Sequence, residues 1–268
     1  MTVAEYAVTF DLWNTLIAEE PSGVVGRERQ KNRALGALGI LKEHDVNVNL
    51  DALISALDAA QHLINIDHES GLDLVFSDRL GQILSMVDRG LIERLSSDTL
   101  ERIACEMDRA FLNLSPLVIE GVIEALEVVR KMGLKTALIS NTGLTSPAGY
   151  IPFLESTGLA RYLDVLTFSN EIAVAKPSAE IFKMTLEKLK VPSWAALHVG
   201  DSLFADVSGA RGVGMHTAWI VGKESRAKGV KPDFLCDDIK KLPDLVCKWV
   251  LAKPGPPLPP HKPSETLS

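Results

Sequence analysis

Polar residues capable of chemistry stand at four separated points of the chain, each beside an apolar run or at the start of a helical pattern. They comprise carboxylates, a hydroxyl, an amide and an amine, in this order: Asp11, Ser140, Asn141, Lys176, Asp201 and Asp206. An Asp, then a hydroxyl, then a Lys, then a carboxylate pair is the set that phosphoryl transfer through a covalent aspartyl intermediate needs. The residue types and their order therefore indicate phosphoryl transfer with Asp11 as the nucleophile.

Each of these points has a simpler explanation when taken alone. Asp11 ends a short apolar run that is typical of a buried strand, and it could merely cap a turn. Lys176 could be an ordinary solvated side chain, while Asp201 and Asp206 could be a helix cap and a solvated helix residue. The functional interpretation depends on all four points occurring together and in order.

Taken together, the four motifs resemble those of the haloacid dehalogenase superfamily, whose members are mostly phosphatases. The resemblance covers roughly residues 5 to 17 and 115 to 240, and it implies Asp11 as the nucleophile and Lys176 as a fixed positive charge on the phosphate. It also implies phosphate binding by the side chains of Ser140 and Lys176, with help from the backbone amides of Leu12, Trp13 and Asn141. It further implies a magnesium ion held by oxygen atoms of Asp11, the Trp13 carbonyl, Asp201 and, directly or through water, Asp206.

One position departs from the family pattern. Trp13 stands where these phosphatases usually carry a second Asp, which protonates the leaving group and later activates water. An indole N–H can do neither. Haloacid dehalogenases, which need no metal, carry an aromatic Tyr here, but they have a neutral residue at the position of Asp201. Asp201 therefore favours metal and phosphate, and Trp13 is expected to pack at the floor of a cap interface.

A replacement acid or base could come from elsewhere in the chain. The candidates are histidines of predicted helices and acids of the first loop: His44, His62, His68, Glu19 and Glu20. His198 precedes the fourth motif on a predicted strand, and we interpret it as a core histidine rather than a catalytic base.

Hydrophobic patterning predicts the elements that must position these residues. Apolar runs predict buried strands at 7–10, 135–139, 165–168, 195–199, 215–220 and 232–235. Strands that alternate with helical patterns are typical of parallel sheets with right-handed crossovers. The predicted fold class is α/β, a Rossmann-like parallel sheet with helices on both faces and an inserted all-helical cap.

The insertion shows four amphipathic helical patterns, with Ser77 and Asp98 as predicted helix caps. The predicted divisions are a Rossmann-like core at 1–19 and 114–252, a helical cap at 20–113 and a disordered Pro-rich tail at 253–268.

The composition limits the classes of partner and location. The 268-residue chain has a formal net charge of -7 and no long run of Lys or Arg, so neither nucleic acid nor an anionic membrane is an expected partner. No apolar run approaches a membrane span, and the first residues lack a positively charged leader pattern. Three Cys without C-x-x-C spacing fit a reducing cytoplasm. We therefore expect a soluble, cytoplasmic protein that acts on a small phosphorylated metabolite.

The predicted function is magnesium-dependent hydrolysis of small phosphate esters or phosphoanhydrides through an aspartyl phosphate on Asp11. Two alternatives stay open: a 2-haloacid dehalogenase-like hydrolase, and a catalytically weak family member acting as a binding protein. Activity that resists a chelator would favour the dehalogenase. An unreactive Asp11 with retained metal and ligand binding would favour the binding protein.

Overall fold

The computed structural model describes residues 5–222, 229–252 and 255. The segment 253–268, for which disorder is predicted, therefore lies outside the described residues except for Gly255. Within the described part, the strands are β1 (Ala7–Phe10), β2 (Ile17–Ala18), β3 (Leu117–Val118), β4 (Lys135–Ser140), β5 (Val165–Phe168), β6 (Ala196–Gly200), β7 (His216–Ile220) and β8 (Phe234–Cys236).

Six of these strands form one parallel sheet in the order β5-β4-β1-β6-β7-β8. β1 lies inside it, with Ala7 in register with Lys135 on one side and with Ala196 on the other. The chain first builds outward from β1 to β5, then crosses over and builds from β6 to β8. In open α/β sheets such a reversal of direction opens a crevice at the carboxyl ends of the strands, where ligands bind. The parallel sheet confirms the predicted α/β class.

Helices cover both faces of the sheet. The described helices are α1 (Val24–Glu43), α2 (Leu50–Glu69), α3 (Phe76–Val87), α4 (Leu91–Arg94), α5 (Ser97–Asn113), α6 (Val122–Lys131), α7 (Pro147–Ser156), α8 (Ser169–Ile172), α9 (Ala179–Leu189), α10 (Gly209–Gly212) and α11 (Leu242–Leu251). Alternate strand residues point to opposite faces, so Leu138 packs with α6, α7 and α11, whereas Ala137 and Ile139 pack with α9 and α10. None of these described helices is long and apolar enough to cross a membrane.

The helices α1 to α5 lie between β2 and β3 and share a core of their own, which includes Leu41, Leu57, Leu84 and Ile103. The antiparallel pair β2–β3 places the segment before α1 next to the segment after α5, where the chain leaves the sheet domain and comes back to it. Four of these helices coincide with the four predicted amphipathic patterns. The fifth, α4, is a single turn, which is too short for a periodic pattern to reveal.

Both predicted helix caps in this segment are wrong. α5 begins two residues earlier than predicted, because the N-cap is Ser96, whose Oγ accepts a hydrogen bond from the Thr99 N–H at 3.2 Å. Ser96 has the extended backbone that an N-cap requires, whereas Asp98 already lies in the first helical turn. Ser77 lies inside α3, whose preceding residue Val75 provides no side-chain cap.

Candidate active site

Asp11 lies directly after β1, at the carboxyl edge of the sheet, and its side chain is buried. Its backbone N–H continues the sheet by donating to the Val199 carbonyl at 2.9 Å. One carboxylate oxygen accepts a hydrogen bond from the Lys176 ammonium at 2.6 Å, and the other accepts from the Thr15 hydroxyl at 3.1 Å. The carboxylate of Asp11 is therefore held in one orientation by two side-chain donors.

Lys176 bridges two acids. Its Nζ donates to Asp11 and, at 2.7 Å, to Asp206, and the side chain is 2% exposed. Burial acts to lower the pKa of Lys176, but the two carboxylates outweigh it and hold that pKa above its ordinary value. Lys176 is thus a permanently charged group at the floor of the site.

The side-chain amide of Asn141 holds the backbone of Lys176 in place. Its oxygen accepts from the Lys176 N–H at 2.7 Å, and its nitrogen donates to the Lys176 carbonyl at 2.9 Å. The sequence predicted only a backbone contribution from Asn141, so this positioning by the side chain is an addition from the structure.

Asp206 is surrounded by donors. One oxygen accepts from Lys176 and lies 3.0 Å from Nε2 of His198, and the other accepts from the Ser202 N–H at 2.9 Å. These partners hold the pKa of Asp206 below its ordinary value, against the raising effect of burial. His198 lies within β6, its Nδ1 is 2.8 Å from the Thr9 hydroxyl, and burial lowers its pKa. A neutral His198 that accepts from Thr9 and donates to Asp206 satisfies both bonds.

Asp11, Asp201 and Asp206 can each place one carboxylate oxygen within 4.8 Å of the other two. Burial, followed by repulsion from its neighbours, raises the pKa of Asp201 to about 7. Burial also raises the pKa of Asp11 to about 6, although Lys176 opposes the shift. One ammonium does not balance three carboxylates, so this oxygen-rich cluster fits a hard divalent cation such as Mg²⁺.

The side chain of Trp13 forms a hydrogen bond with Tyr150. Its indole N–H donates to the Tyr150 hydroxyl at 3.1 Å, and the Tyr150 ring stacks on Phe168 with centroids 5.4 Å apart. Burial raises the pKa of Tyr150 to about 12, so its hydroxyl stays protonated at neutral pH. Trp13 thus adds no acid or base at this position.

Two neighbouring cavities open beside the site. The first, of about 260 Å³, lies between α1, α2 and the loop after β4, and its lining includes Trp13, Arg29, Arg33 and Asn141. The second, of about 460 Å³, is lined in part by Asn141, Lys176 and Phe204. Asn65 and His68 of α2 line both cavities, so the two spaces adjoin along this helix.

His68 is the predicted helical histidine that lines these cavities. Its Nε2 lies 3.0 Å from the buried carboxylate of Asp73. Burial alone would raise the pKa of Asp73, but hydrogen bonds from His68 and Ser169 bring it below its ordinary value. His68 therefore faces the cavities with one ring nitrogen held by an ionised acid.

The other predicted acid–base candidates do not share the position of His68 on the walls of both cavities. His44 contacts Thr99 at the start of α5, and His62 is exposed on α2. Glu20 hydrogen-bonds Ser22 on the surface. Glu19 reaches the first cavity, where it pairs with Arg29.

The predicted phosphate-binding residues lie on the strand ends next to Asp11. Ser140 ends β4, is fully buried, and its hydroxyl donates to the Asn141 carbonyl at 3.3 Å. Leu12 and Trp13 follow Asp11 directly, and Leu12 is also fully buried. Their contacts with phosphate stay a prediction.

Sequence reasoning missed Thr15, Arg29 and Arg33. Thr15 belongs to the same motif as Asp11 and lies four residues after it in a turn. That spacing of a hydroxyl and a carboxylate was a signal for the hydrogen bond between them. Arg29 and Arg33 are both buried on α1. Their i, i+4 spacing, continued by Ala37 and Leu41, placed them on the inner face of a helix whose apolar stripe was sparse.

Comparison with known proteins gives the family. A model of haloacid dehalogenase-like hydrolases matches residues 7–214. A pyrimidine 5′-nucleotidase of Escherichia coli is 35% identical over 97 residues, which is 35% of this chain and 43% of that protein. Haloacid dehalogenase-like hydrolase domain-containing protein 3 of Mus musculus is 33% identical over 128 residues, which is 48% of this chain and 49% of that protein. The chain spans about half the length, or less, of these curated relatives.

A solved 2-haloacid dehalogenase from Pseudomonas syringae has the same fold, with a TM-score of 0.63 and 23% identity over 91% of this chain and 99% of that one. At this identity the likeness concerns the fold and not the reaction. Because the family model covers most of the 268 residues and the motif residues converge at one edge of the sheet, this protein belongs to the haloacid dehalogenase-like hydrolases.

Proposed function

We propose that this hydrolase is a magnesium-dependent phosphatase of small phosphate esters or phosphoanhydrides that works through an aspartyl phosphate on Asp11. The observation that carries the proposal is the triad of Asp11, Asp201 and Asp206 within 4.8 Å, with Lys176 bonded to two of its members. Asp11 is a buried carboxylate that can act as a nucleophile. Lys176 and a metal ion on Asp201 would reduce its repulsion from a highly anionic phosphate.

In the proposed first step, a carboxylate oxygen of Asp11 forms a bond to phosphorus while the bond from phosphorus to the leaving oxygen breaks. Lys176, the Ser140 hydroxyl and the amides of Leu12, Trp13 and Asn141 hold the phosphoryl oxygens, where transition-state charge is spread. In the second step, water attacks the same phosphorus, which releases inorganic phosphate and restores the Asp11 carboxylate.

Asp11, Asp201 and the Trp13 carbonyl are the proposed protein ligands of magnesium. Asp206 would contribute directly or through water, and its two oxygens also accept hydrogen bonds from Lys176 and the Ser202 N–H. When bound, the ion supplies positive charge that offsets repulsion between Asp11 and the substrate phosphate.

His68 is the proposed acid and base in place of the Asp that Trp13 replaces. With its Nε2 proton directed to Asp73, its Nδ1 is free to accept a proton from water, and the imidazolium can return one to the leaving oxygen. The pairing with Asp73 fixes the tautomer, as an orienting acid does for a catalytic histidine.

The helices of residues 20–113 are the proposed cap over the core formed by 1–19 and 114–252. Support comes from the first cavity, whose walls combine α1 and α2 with the loop after β4, and from the second, which combines α2 with Asn141 and Lys176. A cap in this position would exclude water from the reaction and select substrates. The named activity of the Escherichia coli relative, a pyrimidine 5′-nucleotidase, supports a small phosphorylated substrate.

A 2-haloacid dehalogenase is the second candidate, and the aromatic residue at position 13 is what favours it. Asp201 argues against it, because a half-buried acid there adds negative charge beside Asp11 that carbon–halogen chemistry does not need. A catalytically weak binding protein is a further alternative, in which the same cluster would hold a metal and a ligand without turnover.

A panel of phosphorylated metabolites and 2-haloacids, each assayed with magnesium and with a chelator, tests the proposal. We expect phosphate release that requires magnesium and is absent in Asp11→Asn. Halide release in the presence of the chelator would instead establish the dehalogenase. Binding without turnover of any compound would establish the binding protein.

A further inference from the structure

Arg33 of α1 is a buried cation that forms no ion pair with any acid in the described part of the chain. Its side chain is 8% exposed, and two of its five N–H groups have acceptors. One is the Thr145 hydroxyl at 2.7 Å and the other is Gln30 Oε1 at 3.4 Å. In the part of the chain that the structure describes, its Nε has no acceptor and no carboxylate lies within ion-pair distance of it. A buried guanidinium in this condition is costly unless another anion completes its shell.

The acids whose charge reaches Arg33 already have other partners. Asp108 accepts two hydrogen bonds from Ser146, and Glu19 pairs with Arg29. Burial and the neighbouring charge of Arg29 together lower the pKa of Arg33 to about 10. Arg33 therefore stays charged at neutral pH, and the described acids nearest to it, Asp108 and Glu19, are bonded to other groups.

Arg79 of α3 is a second buried arginine in residues 20–113, and it offers a comparison with Arg33. It is 1% exposed, and its guanidinium forms ion pairs with Asp67 at 2.7 Å and with Asp73 at 3.2 Å. Its Nε, like that of Arg33, has no acceptor among the described residues, so the two arginines differ in their carboxylate partners. Arg33 is buried almost as completely but has neither partner. The difference indicates that the missing anion at Arg33 comes from outside the chain.

Arg33 lines the cavity of about 260 Å³ together with Arg29, whose guanidinium is shared between Glu19, the Leu114 carbonyl and the face of Phe111. Asn141, which holds Lys176, lines the same cavity and also the adjoining one that contains Lys176. A small molecule whose phosphate lies beside Lys176 could therefore extend toward Arg33.

We propose that Arg33, with Arg29 beside it, binds a second anionic group of the substrate, so that the preferred substrates are small phosphate monoesters that also carry a carboxylate or a second phosphate. This inference rests on the proposed phosphatase function, because it concerns the far end of the same substrate. Arginine suits the role, since its planar fork binds either a carboxylate or a phosphate with two hydrogen bonds.

The test compares three-carbon phosphate monoesters that end in a carboxylate, in a second phosphate or in a hydroxyl. In the wild-type protein, we expect kcat/KM to be roughly 10- to 100-fold higher for an anionic end than for the hydroxyl end, the range that a charged hydrogen bond supplies. The larger of the two anionic values identifies which group the site accepts. Arg33→Gln should remove most of this preference, and Arg33→Lys should restore part of it.

Arg27→Gln is the matched control, because Arg27 lies on the same helix but is exposed and does not line the cavity. It should leave the preference unchanged. Equal kcat/KM values for all three esters in the wild-type protein would overturn the inference while leaving the phosphatase function intact, and this result does not depend on the folding of any variant. Absence of magnesium-dependent hydrolysis of every ester would contradict the proposed function itself.

Discussion

The side chain of Asn141 forms hydrogen bonds with both the N–H and the carbonyl of Lys176, a residue 35 positions later in the chain. This double contact joins the loop after β4 to the loop that precedes α9. It holds Lys176 where its ammonium meets Asp11 and Asp206. Asn141 is thus a positioning residue for the fixed charge of the site.

Asn141→Leu should lower kcat by roughly 10- to 100-fold, because two buried backbone groups lose their partner and Lys176 loses its alignment. Asn113→Leu, at an exposed position, provides the control for the substitution itself. Steady-state kinetics and circular dichroism together separate positioning from misfolding. Unchanged kcat in a folded Asn141→Leu variant would show that Lys176 needs no such support.

Asp201→Asn should weaken magnesium binding roughly 10- to 100-fold and lower activity in parallel, because an anionic ligand becomes neutral while the neighbouring acids stay in place. Titration calorimetry measures the affinity. Asp244→Asn, exposed on α11, controls for the loss of one surface charge. Equal affinities for wild type and Asp201→Asn would remove Asp201 from the metal site.

The chelator-treated protein should lose stability as the pH rises from about 4 to about 7. The pKa values of Asp11 and Asp201 are raised to about 6 and about 7, so the folded state retains protons that the unfolded chain has already released. Each increment of pH in this window therefore favours unfolding. Asp206 affects stability in the opposite direction. Its pKa is lowered in the folded state, so its ionised form stabilises the fold, and this stabilisation is lost only when the pH falls.

Urea unfolding of wild type and Asp201→Asn with a chelator tests this pH dependence. The variant should match wild type near about pH 4 and exceed it by on the order of 1 kcal/mol or more above about pH 7. Added magnesium should reverse the order. A stability difference that does not change with pH would mean that Asp201 titrates normally.

His68→Gln should slow the hydrolysis of the aspartyl phosphate more than its formation from an aryl phosphate, since a phenolate leaves without a proton. Quenched-flow measurements should then show a burst of phenol followed by a slower steady state. Release by the wild type should be closer to linear. His62→Gln on the exposed face of α2 should behave as wild type, and a His68→Gln variant without a burst would exclude His68 as the base.

Trp13→Asp should raise the turnover of alkyl phosphates by roughly 10-fold or more, because it adds a second acid, beside the proposed His68, for leaving groups that require a proton. The introduced carboxylate would lie near the Tyr150 hydroxyl, which is at present the acceptor of the Trp13 N–H. The ratio of alkyl to aryl phosphate turnover is the measurement. A ratio equal to that of the wild type would show that proton transfer is already fully provided elsewhere.

The sequence by itself determined the six strands of the parallel sheet, the longer helices and the order of the motifs, whereas the two-residue strands β2 and β3 were too short to be predicted. Asp11, Ser140 and Asp201 follow apolar runs, and the carboxyl ends of parallel strands meet at one edge of a sheet, so local patterns were enough to predict that these residues converge. The amphipathic helices of residues 20–113 were predictable for the same reason, because burial of one face imposes a period that a short window of sequence contains.

The tertiary structure alone decided which side chains meet across long separations. The pairing of Arg33 with Thr145 joins residues 112 positions apart, and that of Ser169 with Asp73 joins residues 96 apart. No periodic pattern encodes such a distance, since it depends on how the helices of residues 20–113 pack on the sheet. The same packing places His68, and not His44 or His62, on the cavity walls. Among the described residues it also leaves Arg33 buried without an ion-pair partner, because burial and partnership are properties of the folded chain.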